Sequence, residues 1–84
     1  MNTLQASHLE SIKRKLLEEE MLITVVQHAD TVEIQYSNRQ LLSNELDQPT
    51  IITCCLDGRI IVLDPSLGVL KFRDFTSWVY WFDI

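Results

Sequence analysis

The stretch Thr50 to Leu63, TIITCCLDGRIIVL, decides the fold. Two runs rich in β-branched residues flank Asp57-Gly58, the strongest short-range signal for a β-hairpin. Gly58 at the second turn position tolerates the positive φ of a type I′ turn, so strands are predicted over residues 50–56 and 59–63. Neither face of this hairpin is polar. Ile51, Thr53 and Cys55 oppose Ile52, Cys54 and Leu56, and Ile60 to Leu63 are apolar throughout. That pattern is expected of strands covered on both sides.

Downstream, Asp64-Pro65-Ser66-Leu67-Gly68 reads as a turn, and Val69 to Phe72 as a short fifth strand. Upstream, Met21 to Gln27 (MLITVVQ) is β-branched. After His28-Ala29-Asp30, Thr31 to Tyr36 alternates, with Val32, Ile34 and Tyr36 on one face and Thr31, Glu33 and Gln35 on the other. This is a hairpin with one wet face. Between the hairpins, Ser37 to Pro49 is polar and interrupted by Leu41, Leu42 and Leu46; its spacing fits a helical turn, an edge strand or a loop.

Residues 7–20 are predicted to form an amphipathic helix. Leu9, Ile12 and Leu16 recur at helical spacing, Leu17 widens the stripe, and Ser7 with Glu10 makes a capping box. The run Glu18-Glu19-Glu20 opposes the negative end of the helix dipole, so the helix should stop there.

Six of the seven aromatic residues fall in the last thirteen positions. As a helix capped by Asp74 or Thr76, Phe75, Trp78, Val79 and Phe82 form one stripe, with Tyr80 and Trp81 on its flank. As a strand, Trp78, Tyr80 and Phe82 would share a face. The helix is the preferred reading. In either form the segment has more aromatic surface than one buried face needs, and Trp and Tyr are enriched at interface hot spots. Phe75, Trp78, Tyr80, Trp81 and Phe82 are therefore the expected partner-binding residues.

Eighty-four residues with 46 % hydrophobic and 23 % charged content describe one small domain over residues 1–84. The net charge of −5 weighs against binding duplex DNA or an anionic membrane, since both require basic residues to neutralise phosphate. Lys13-Arg14-Lys15 is the one basic cluster; its side chains fan around a helix and Glu18 to Glu20 offset it. Nothing reads as an export signal or membrane span, the longest apolar runs, such as Trp78 to Phe82, being five residues. Adjacent Cys54 and Cys55 diverge on a strand and do not suit a disulfide, so reduced thiols and a cytoplasmic setting are expected.

No catalytic, cofactor-binding or metal-binding set is expected. Cys54 or Cys55 with His28 could form a nucleophile and base, yet both thiols sit mid-strand among Ile, Thr and Leu, where Cys behaves as a small hydrophobe. Two His and two Cys lack zinc-ligand spacing, and Gly58 and Gly68 stand apart from any phosphate-binding run. Asp57, Asp64 and Asp74 each have a local explanation as turn or cap residues.

These observations predict an α+β fold: an N-terminal helix, a four- to five-stranded mainly antiparallel sheet of two hairpins, and a C-terminal aromatic helix. If both helices lie on one face of the sheet, the Cys54 hairpin needs another cover. The expected function is a non-enzymatic protein–protein interaction or regulatory module, of inhibitor, immunity, adaptor or small acidic chaperone type, acting as a homodimer. One alternative is a small-molecule-binding module with a pocket between sheet and tail, lined by Tyr36, Cys55 and Trp81 with His28 or Arg59 as anchor. The other is a thiol-dependent enzyme.

Overall fold

The computed structural model describes residues 3–38 and 48–84. Elements follow in the order α1 (Thr3–Glu18), β1 (Met21–Gln27), β2 (Val32–Asn38), β3 (Thr50–Cys54), β4 (Ile60–Asp64), β5 (Gly68–Phe72) and α2 (Phe75–Phe82). The fold is α+β, as the patterning predicts. Of the ambiguous segment from Ser37 to Pro49, the first two residues extend β2, and residues 39–47 lie outside the described part.

The five strands form one antiparallel sheet in the order β1-β2-β3-β4-β5, each strand beside its neighbours in sequence. Side chains alternate across the sheet, so the register divides them into two faces. One face carries the rows Val25, Ile34, Ile52, Val62, Leu70 and Gln27, Val32, Cys54, Ile60, Phe72. Both helices pack on this face. Leu9, Ile12 and Leu16 of α1 and Trp78 of α2 join Val32, Ile34, Tyr36, Ile52, Cys54, Ile60 and Val62 in a single core.

Three local readings of the sequence are corrected by the structure. Helix α1 begins at Thr3, so Ser7 lies within it and cannot cap its start. Thr3 to Ser7 carries little apolar periodicity, and the helix is continued upstream by backbone hydrogen bonding instead. Leu17 does not widen the buried stripe but is 56 % exposed, because Leu9, Ile12 and Leu16 already span the width that the sheet covers. The β3–β4 connection is not a two-residue type I′ turn. Gly58 N–H donates to the Cys55 carbonyl (3.1 Å) and Cys55 N–H to the Arg59 carbonyl (3.0 Å), leaving a three-residue loop of Leu56, Asp57 and Gly58. Only Gly58, at φ +91°, takes the left-handed conformation, as a type I turn closed by a bulge requires. The Asp57 carboxylate fixes that form by accepting from Arg59 N–H (3.1 Å) and Nε–H (2.7 Å).

The Glu18-Glu19-Glu20 run does end α1. Glu20 sits at φ +60°, a left-handed position normally given to glycine, and its N–H donates to the Leu17 carbonyl at 3.0 Å. Lys15 answers the negative helix end: its Nζ lies 3.3 Å from Glu19 and 2.9 Å from Asp83, the C-cap of α2, and 5.9 Å from the Phe82 ring centre. At the other end His8 meets the Phe75 ring edge-on, with centroids 6.1 Å apart. The helices thus run side by side in the same direction.

Helix α2 has only eight residues, too short to persist alone in water. Asp74 caps it, accepting from Ser77 N–H at 2.8 Å. That contact holds the Asp74 carboxyl below its ordinary range, first through the backbone N–H of Ser77.

Candidate functional site

The face of the sheet opposite the helices carries two rows across all five strands. One is Thr24, Gln35, Ile51, Leu63, Val69; the other is Val26, Glu33, Thr53, Ile61, Lys71. The two rows differ along their length. On β1 and β2 they mix Thr24, Val26, Glu33 and Gln35, whereas on β3 to β5 they bring Ile51, Thr53, Ile61, Leu63 and Val69 together. Leu63 is 47 % and Val69 59 % exposed. Ile51 and Ile61 are half-buried. No described element packs over them.

This arrangement follows from the sequence that shows apolar residues on both sides of the β3–β4 hairpin. A chain with two helices on one face leaves the other without cover among the described residues. Two charges frame the apolar area. Glu33 on β2 accepts from Gln35 Nε2 at 2.9 Å and lies 3.6 Å from His28 Nε2. Lys71 on β5, in the same row, is exposed and makes no ion pair with a described residue.

The expected partner-binding residues divide between core and surface. Trp78 is fully buried and stacks between Phe75 and Phe82, with centroids 5.8 and 5.1 Å away. Phe75, Trp81 and Phe82 are half-buried, Trp81 packing on Phe72 at 5.4 Å and Phe82 meeting Tyr36 at 6.2 Å. Tyr80 alone stands fully out, at 77 % exposure. The tail therefore uses most of its aromatic area to seal the helix-covered face, and Trp78 fills the space between sheet and α2. Its Nε1 and the Nε2 of His8 are buried without a hydrogen-bond partner among the described residues. Burial pulls His8 below the ordinary histidine range, with Asp74 pulling weakly the other way.

The side chains of the alternative readings do not converge. Tyr36 and Cys54 face the helices, so Cys55, the next residue, turns the other way and cannot line a pocket with Tyr36. His28 and Arg59 are exposed in separate turns. Both cysteines are free thiols. Burial raises the Cys54 thiol to about 12, which leaves essentially no thiolate at neutral pH and suits a core residue rather than a nucleophile. Among the described residues no three of His, Cys, Asp and Glu gather as a metal site would require. The basic cluster on α1 is dispersed: Lys13 pairs with Glu10 at 3.3 Å, Lys15 turns towards α2, and Arg14 faces solvent.

The fold and this face define a small α+β protein with one sheet surface sealed by helices and one left open among the described residues. Among the described residues no helix is long and apolar enough to cross a membrane. The chain matches no protein-family model, no curated protein and no solved structure.

Proposed function

We propose that this chain is a non-enzymatic protein–protein interaction or regulatory module. The observation that carries this reading is the apolar area of Ile51, Ile61, Leu63 and Val69 on the uncovered face of the sheet. Contiguous exposed apolar surface rimmed by polar residues marks an interaction site, because leaving it in water is costly and burying it against another surface is favourable. Tyr80, the one aromatic of the tail that is fully displayed, is a second contact point. Two unpaired thiols suit a reducing compartment such as the cytoplasm.

The alternative of a small-molecule site between sheet and α2 gains no support from a space that Trp78 occupies. The interaction reading is tested by Leu63→Glu and Val69→Glu. If the face serves association, each variant loses association while keeping the far-ultraviolet spectrum and thermal midpoint that the wild type shows below its concentration of association. Marked destabilisation of the isolated chain by either substitution would mean that these side chains pack internally, and the reading fails.

A further inference from the structure

We infer that the open sheet face binds a second copy of this chain, face to face, about a two-fold axis that runs parallel to the strands between β3 and β4. This rests on reading the chain as an interaction module and names its partner. The argument comes from the order of residues along the two rows. A rotation about that axis exchanges β3 with β4 and β2 with β5. It therefore sets Ile51 against the partner's Leu63 and Thr53 against the partner's Ile61, each contact occurring twice, as a self-complementary interface demands.

The same rotation sets Glu33 against the partner's Lys71. Within one chain these residues share a row but lie on β2 and β5, three strand spacings or roughly 14 Å apart, too far to pair. Across two sheets stacked about 10 Å apart, a glutamate and a lysine reach each other. Both ends of the interface then carry opposite charges, one pair on each side of the axis. A two-fold axis perpendicular to the strands would instead place Lys71 over Val69 and Glu33 over Gln35, with no charge pairing. Charge complementarity thus selects one orientation, while the apolar centre supplies the affinity.

The assembly is four layers deep, helices outside and two sheets within, with the sheets crossing at about 30° as their twist requires. It supplies the second cover that the β3–β4 hairpin lacks among the described residues of one chain.

Sedimentation equilibrium of the full chain tests the inference, with Glu33→Lys, Lys71→Glu and the double reversal as variants, all at exposed or half-exposed positions. Wild type sediments as a dimer. Each single reversal places like charges together twice and weakens the dimer about tenfold, and the double reversal restores it. Single variants that dimerise as well as wild type, or a double variant that stays weak, overturn the stated axis. Hydroxyl-radical footprinting of Leu63 and Val69 separates the remaining outcomes. A monomer with both residues reactive overturns the dimer but leaves the face to a different protein, so the interaction reading survives. A monomer with both residues shielded assigns the face to another segment of the same chain, and both readings fall.

Discussion

Over β3 to β5 both faces of the sheet carry Ile, Leu and Val side chains, and they differ in which described elements lie over them. On one, Ile34, Ile52, Ile60 and Val62 are sealed beneath α1 and α2; on the other, Ile51, Ile61, Leu63 and Val69 meet no helix among the described residues. Strand composition alone therefore does not fix burial. The difference shows that apolar side chains on a strand can serve intramolecular packing or stand ready for intermolecular contact, and that the covering elements decide which.

The largest effects should come from cutting into the sealed face. Ile52→Ala or Ile34→Ala removes buried methyl groups from a filled core and should cost about 2–5 kcal/mol, read as a shift of the urea midpoint without a change of slope. Ile61→Ala on the open face, measured below the concentration of association, should cost under about 1 kcal/mol. Equal costs on the two faces would erase the contrast.

Relief of the one non-glycine residue at positive φ among the described residues should have a smaller and opposite effect. Glu20→Gly relieves a left-handed glutamate and removes a negative charge from the end of α1, so a gain of about 1 kcal/mol is expected by thermal melting. A pH series sharpens the comparison further. Desolvation makes the half-buried His8 take up its proton at a lower pH in the folded chain than in the unfolded chain, where it does so near the ordinary value of about 6.5. Folded His8 binds fewer protons, so its contribution is full above that pH and is lost as pH falls below it towards the lowered folded value. In His8→Phe, the drop in melting temperature between pH 7 and pH 5 should be smaller than in wild type. The smallest signal is chemical. Alkylation at pH 8 should leave Cys54 unmodified in the folded chain, because burial and a thiol near 12 both protect it, and modify it on unfolding.

Much of this was legible in the sequence. The run MLITVVQ gives β1 with its observed bounds, because β-branched residues there end at a polar turn. Alternation over Val32 to Tyr36 assigns the faces of β2 correctly, and Asp74 is recognisable as the cap of α2 from the aromatic stripe that follows it. Asp57-Gly58 marks a turn but does not fix its length, since one left-handed glycine serves two-residue and three-residue loops alike. The start of α1 was missed because Thr3 to Ser7 does not continue the apolar spacing of Leu9, Ile12 and Leu16 in the sequence.

The candidate site was half visible. Aromatic composition drew attention to Trp78, Trp81 and their neighbours, yet composition cannot distinguish a surface cluster from the seal of a thin core. The conflict between a hairpin apolar on both sides and only two helices to cover it was the better signal. Its resolution depends on which face the helices choose, a tertiary property that alternation cannot express. Glu33 and Lys71 were overlooked for the same reason: they become partners in a row only once the register of four strands is known.

Helix α2 follows every strand it seals, and it holds both tryptophans of the chain. During synthesis, the helix-side surface of β4 and β5 accordingly lacks α2 until residues 75–82 have been made, so among the described residues α2 is shielding neither surface of that part of the sheet in the growing chain. The same placement makes tryptophan emission a reporter of one event, the docking of this last segment. A nascent chain arrested before it would be dark in that channel and would present two sticky surfaces to the chaperones around it.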